Sequence, residues 1–267
     1  VEAFEYQDGS EGKIDIGQSF ETTYEMFQGK DPRFLASIYV PGSSLLGSTM
    51  QFQRGLILKD GSKYYAQSAP GPSYLLETYI DPETQRKDTI FGKDGGTYTG
   101  DASKTGFNIR KFVNENLKTE AQWDFGKTET SFPIFRLAEV YLNLAEAAVE
   151  MGKYQTEAFE AIKKIRDRAG VVTPFAVVDV EKVRHERQVE LAFEGHRFWD
   201  MKRWRIAHLP VDQGGLNGFR GAGLHPFFDL RIRKYVFEVA NDLPKRQRVF
   251  TEKNYYTKFS GNDMNSN

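Results

Sequence analysis

Glu186, Glu190 and Glu194 recur at every fourth residue in a stretch that also carries Phe193, Phe198, Trp199 and Trp204. That spacing stacks side chains on one helical face, so the three carboxylates repel as a row unless cations come between them. Arg187, Arg197 and Arg203 are nearest in the chain and are the expected partners. Partly buried Glu–Arg pairs roofed by the aromatics would follow, and such pairs fix register more than they add stability. The carrier helix runs from Val180 to Trp204 and is expected to break or bend at Gly195, with Phe198, Trp199 and Trp204 in the core.

Two helices precede it. Phe132 to Met151 places Ile134, Leu137, Tyr141, Leu144, Ala145 and Ala148 at helical spacing, with Pro133 in the first turn and Gly152 after the last. Thr156 to Ala169 puts Ala158, Ala161, Ile162, Ile165 and Ala169 on an inner face and stops at Gly170. So short a turn makes the two an antiparallel pair. With Tyr141, Ala145, Gly152, Tyr154 and Ala158, the pair looks like one tetratricopeptide (TPR) unit. One unit cannot bury its own apolar face, so other structure must cover it.

The run from Glu186 to Trp204, Glu-Arg-Gln-Val-Glu-Leu-Ala-Phe-Glu-Gly-His-Arg-Phe-Trp-Asp-Met-Lys-Arg-Trp, resembles the signature of the SusD/RagB family of nutrient-uptake outer-membrane lipoproteins. Further segments agree in the family's order: Glu2-Ala-Phe-Glu5 with Asp8-Gly9, Asp31-Pro-Arg-Phe34, Thr105 to Phe112, Arg136 to Asn143, and Ile162 to Gly170. The resemblance departs near Asn241 to Arg246, where a proline-rich segment and a terminal Asn-Pro-Gly-aromatic motif are expected. It implies a mostly α, SusD-like fold with a TPR-like helix pair, long irregular loops and a few short strands. It also implies non-catalytic glycan binding at the cell surface beside a SusC-like TonB-dependent transporter in the outer membrane. A signal peptide, a lipidated cysteine and an N-terminal helical domain are expected upstream of Val1, the anchor lying outside this chain.

Composition is consistent with that and excludes little else. With 36 basic and 37 acidic side chains, no overall field favours nucleic acid or an anionic membrane. The absence of cysteine rules out disulfides and thiolate chemistry. No stretch approaches the ~20 apolar residues of a membrane span. A single domain over 1–267 is expected, with a loop-rich region at 1–131, a helical core at 132–205 and a loop-rich segment at 206–267. In the first region a helix is expected near Ser19 to Phe27, a short one at Pro32 to Ile38, and a strand over Gln51 to Leu58. Lys234 to Val239 alternates as a strand would.

Catalytic and metal patterns are missing. His185 and His196 have no third ligand at metal spacing, and Asp81, Glu83 and Asp94 lack the EF-hand ligand order. Glycosidase carboxylates could be drawn from the glutamate row, but neighbouring arginines would hold them ionised. No cofactor and no enzyme activity are expected. Stacking of sugar faces requires exposed rings beside amides and carboxylates. Tyr65, Tyr74, Tyr79, Tyr98 and Trp123 supply the rings, with Gln67, Asp81 and Asn108 as polar candidates and Trp123 foremost. The alternative is a TPR-like protein-interaction scaffold working through the groove around Tyr141 and Tyr154.

Overall fold

The computed structural model describes residues 1–65, 78–94, 103–116, 130–240 and 247–256. The first part of the chain holds β1 (Ser19–Phe20), α1 (Pro32–Ser37), β2 (Ile38–Tyr39), β3 (Ser44–Leu45), β4 (Ser48–Thr49) and β5 (Gly55–Ile57). Four more short strands follow: β6 (Lys63–Tyr64), β7 (Thr78–Ile80), β8 (Lys87–Thr89) and β9 (Asn108–Ile109). Helices α2 (Leu137–Glu150), α3 (Gln155–Ala169), α4 (Val180–Glu190) and α5 (His196–Arg203) lead to the hairpin β10 (Gly223–Asp229) and β11 (Lys234–Ala240). The chain divides into two compact units, Val1–Glu194 with Ala222–Leu243 and Gly195–Gly221 with Pro244–Asn267.

The first unit is built on a five-stranded sheet in the order β1-β11-β10-β5-β6. β10 pairs antiparallel with β11 and parallel with β5, through Phe227↔Gly55 and Asp229↔Ile57. Gly55 is required there, because a Cβ would lie 2.6 Å from the Tyr64 carbonyl. The mostly α expectation therefore understates the strands. Alternation announced β11, but β10 opens on Gly223 and contains Pro226, and both residues weaken a strand pattern in sequence. The helix expected over Ser19 to Phe27 is a strand and a late 3-10 turn, Glu25–Phe27. Phe20 is drawn edge-on to Phe237 at 6.0 Å as Ser19 pairs with Val236. Glu25 caps the turn by accepting from the Glu21 N–H and the Thr22 hydroxyl.

α3 buries the face expected of it and ends at Gly170, whose left-handed φ of 73° closes the helix. α2 differs. It begins at Leu137, Pro133 lies outside it, and its buried residues are Leu142, Ala145, Glu146 and Ala148. Ile134, at 89% exposed, is in solvent, as are Leu137 and Leu144. α2 is apolar on more than one side, so helical spacing alone permitted two choices of inner face. Leu142, Ala145 and Ala148 pack with Ala158, Ala161, Ile162 and Ile165, and α4 adds Val183 to this cluster. On its other side α4 gives Val189 to a second cluster with Phe27, Phe34 and Phe237.

Glu186, Glu190 and Glu194 are buried between these layers, where cations from distant parts of the chain meet them. Arg166 donates to Glu186 at 3.0 Å, and Arg33 bonds both Glu186 and Glu190, the latter at 2.9 Å. Arg168 reaches Glu190 at 2.7 Å. Arg136 spans Glu190 at 2.6 Å and Glu194 at 2.7 Å, and Lys111 completes the Glu194 site. Arg187 donates to Asn143 at 2.7 Å. Each segment that carries the family resemblance thus delivers a charge to one buried network, Glu5 joining through Arg166 and Asp31 through Arg33. Burial works against charge at Arg33, Arg136 and Glu194. Bonds to Asp31 and Glu186, to Glu194 and Glu190, and from Arg136 and Lys111 respectively outweigh it, raising both arginines and lowering the carboxyl.

The aromatics expected to roof these pairs are not sealed in a core. Trp199 is 64% exposed, Phe193 and Phe198 are also exposed, and Trp204 is half-buried. α4 ends at Glu190, and Gly195, at a left-handed φ of 81°, stands immediately before α5. The second unit has its own small core, Met201, Ala207 and Phe250, with Ile206, Leu216 and Tyr255 against it.

Candidate functional site

The first unit contains a cavity of about 560 Å³ lined by Glu21–Tyr24, Gly42, Thr49–Gln53, Thr89, Gly92 and Tyr235. Its wall is tied by backbone bonds: the Gly92 N–H donates to Gln53 at 2.9 Å and the Asp94 N–H to Gln51 at 3.0 Å. Asp94 in turn accepts from the Gln51 N–H at 2.8 Å. A Cβ on Gly92 would lie 2.2 Å from the Gln51 carbonyl, so only glycine permits this closure. The Thr22–Tyr24 turn also lines the cavity, and Tyr235 enters from β11 with its hydroxyl raised in pKa by burial. Gln53 is buried, and its amide donates to the carbonyls of Thr89 and Ile90 at 2.7 and 3.2 Å. Thr22, Thr49 and Gln51 stay exposed, so two rings stand beside hydroxyls, an amide and the Glu21 carboxylate. Such a set suits a polar ligand with an apolar face.

Sequence reasoning placed the site elsewhere. Trp123, Tyr74, Tyr98 and Gln67 lie outside the described residues. Tyr65 is exposed, with its ring edge-on to Phe227 at 5.8 Å. Tyr79 packs against the Leu56, Ile90 and Phe91 cluster, 5.6 Å from the ring of Tyr64. Asn108 is half-buried in β9, opposite Tyr39. Asp81 serves its own turn: it accepts from the N–H groups of Thr84 and Glu83 and pairs with Lys59 at 3.0 Å, which holds its pKa at about 2. The cavity residues Tyr24, Gln51 and Tyr235 were missed as a group. They are brought together by pairings between distant strands and have no local motif.

No group of three or more His, Asp or Glu side chains that could hold a metal ion occurs among the described residues. His185 bonds the Ala3 carbonyl at 2.7 Å. Among those residues no helix is long and apolar enough to cross a membrane.

Two curated relatives come from Formosa agariphila. SusD-like protein P2 is 31% identical over 101 residues, or 34% of this chain and 20% of that protein. SusD-like protein P25 is 39% identical over 80 residues, or 27% of this chain and 15% of that protein. The fold is also that of a solved SusD-like protein from Bacteroides fragilis, with a TM-score of 0.59 at 24% identity over 98% of this chain and 43% of the other. A SusD-like carbohydrate-binding protein from the same organism gives a TM-score of 0.51 at 27% identity over 78% of this chain and 34% of the other. The chain therefore spans only a fraction of the length of these relatives. The model of the SusD family matches residues 1–267 from end to end, and on that match, with the buried charge network assembled from the resembling segments, the chain belongs to the SusD family.

Proposed function

We propose that this chain is part of a cell-surface protein that binds a glycan for uptake without cleaving it. The observation that carries the proposal is the cavity, where the half-buried rings of Tyr24 and Tyr235 stand beside Thr22, Thr49 and Gln51. Rings next to uncharged hydrogen-bonding groups are what a sugar face with a hydroxyl edge requires. A solved relative in the same family is described as carbohydrate-binding, which supports the ligand class. The glutamates most suggestive of hydrolysis, Glu186, Glu190 and Glu194, are each bonded by two or more cations and are buried. Among them Glu194 has its pKa lowered by Arg136 and Lys111 against the effect of burial, which makes it a poor general acid. A second contribution would come from the loop-region rings, Tyr65, Tyr79, Tyr74, Tyr98 and Trp123. In the full-length protein, a lipid anchor upstream would hold the assembly on the outer membrane beside a SusC-like transporter.

Titration calorimetry against neutral oligosaccharides (maltohexaose, laminarihexaose and xylohexaose) and a wider polysaccharide panel tests this. Binding by the wild type, weakened at least tenfold in Gln51→Ala or Thr49→Ala, places the ligand in the cavity; tenfold is ~1.4 kcal/mol. Loss in Tyr65→Ala or Trp123→Ala instead moves it to the loop region. A wild type that binds no glycan on the panel overturns the reading. A protein-interaction scaffold is favoured by one observation, the exposed apolar residues Ile134, Phe135, Leu137 and Leu144 at and before α2. Recovery of a transporter from solubilised outer membranes by the full-length protein, lost in Phe135→Glu, would assign that face to the transporter.

A further inference from the structure

Charge is segregated between the two units. Residues 195–221 and 244–267 carry ten Lys and Arg against four Asp and Glu, while the rest of the chain carries 26 against 33. A chain with a net charge of −1 therefore contains a small, strongly basic unit. Within it, cations and rings alternate in contact. Lys202 lies 5.4 Å from the ring of Trp199 and 5.6 Å from that of Phe198. Phe198 meets Phe250, Phe250 meets Tyr255, and the Arg205 guanidinium lies over Tyr255 at 4.8 Å and Tyr256 at 5.3 Å. The ends of this run are open to solvent: Trp199, Phe198, Arg205 and Tyr256 are all exposed. Neither Lys202 nor Arg205 has a carboxylate partner among the described residues, in contrast to the arginines of the buried network.

Rings in water gain by stacking on the apolar face of a pyranose, and cations between them gain by meeting a fixed negative charge on it. A neutral sugar uses only the first feature and a lipid headgroup only the second. We infer that the second unit is a binding surface for an anionic polysaccharide, one carrying uronate carboxylates or sulfate esters, with Trp199 and Tyr256 as stacking rings and Lys202 and Arg205 as charge partners. The inference rests on the glycan reading above and adds a charged ligand class at a surface separate in sequence from the cavity residues. Long-range attraction of such a polymer to a basic patch is screened by salt, so capture is strongest at low ionic strength.

The test is calorimetry of the whole chain with hexagalacturonate, with a carrageenan hexasaccharide and with neutral maltohexaose, at 50 and 300 mM NaCl. The expected result is binding of at least one anionic oligosaccharide, weakened at least tenfold by the higher salt. The double variant Lys202→Gln with Arg205→Gln should weaken it at least tenfold with unchanged melting temperature, and Lys153→Gln, at an exposed lysine of the first unit, should leave it unaltered. Trp199→Ala should reduce it at both salts, since stacking is not screened. Binding of neutral glycans alone, or anionic binding unaffected by the double variant, overturns this inference and leaves the cavity reading standing. A protein that binds no glycan overturns both. Sedimentation with vesicles of phosphatidylcholine and phosphatidylglycerol that depends on Lys202 and Arg205, without oligosaccharide binding, would assign the patch to a lipid surface and overturn it also.

Discussion

Arg166, on α3, donates to Glu186, on α4, at 3.0 Å, with both side chains almost sealed from water. Removing Arg166 leaves Glu186 with Arg33 alone and takes the cation from Glu5; breaking a buried pair typically costs about 3–5 kcal/mol. Arg166→Met should therefore lower the urea midpoint by that equivalent, whereas a loss under about 1 kcal/mol would show that the surrounding bonds to Glu5 and Val172 are not needed either.

The two sides of α2 separate cleanly in mutagenesis. Leu142 is 0% exposed, and Leu142→Ala should cost about 2–5 kcal/mol. Ile134→Gln and Leu137→Gln lie in solvent and should each change stability by no more than about 0.5 kcal/mol. Thermal melts of the three variants check the orientation of the helix, and a large loss at Leu137 would reverse it.

Trp199→Ala should fold. Its ring touches Phe198 at 5.3 Å but is largely in water, so the expected loss is below about 1 kcal/mol by denaturant titration. Failure to fold would mean that the ring belongs to the core after all.

Lys30 gives the protein an alkaline dependence. Its ammonium is buried and bonds the carbonyls of Phe4 and Gly12, 4.6 Å from the Tyr6 ring, and burial lowers its pKa to about 8. Unfolding restores the ordinary value of 10.5. Between about pH 8 and 10.5 the unfolded chain holds the proton that the folded chain has released, so this residue raises stability as pH rises. Below pH 8 both states are protonated and its contribution is level. Chemical denaturation of wild type and Lys30→Met across pH 7 to 10 should show the wild type gaining on the variant only above about pH 8.

What could be read from the sequence was local. The face of α3 follows from spacing within one helix, the interruption before α5 from Gly195, and the burial of the glutamate row from its four-residue repeat. The partners of that row did not, because Arg33 meets Glu190 across 157 positions and Arg136 meets it across 54. Each cation lies inside one of the segments that signalled the family, so the signal was present without the geometry. α2 defeated periodicity because Leu137, Val140, Leu142 and Leu144 make it apolar on several sides. The cavity depends on Gln51, Gly92 and Tyr235 meeting from three parts of the chain, and strands of two or three residues leave little pattern to find.

Arg33 fastens α4 to α1, since one guanidinium holds Asp31 at the start of α1 and both Glu186 and Glu190 on α4. Neither helix can open without stranding charges that belong to the other. In amide hydrogen exchange, the bonded amides of α4 and the Phe34 carbonyl's partner, the Ile38 N–H at the end of α1, should lose protection together and at one free energy. Segments more than 140 residues apart would then behave as one unit of unfolding, although α1 is only six residues long.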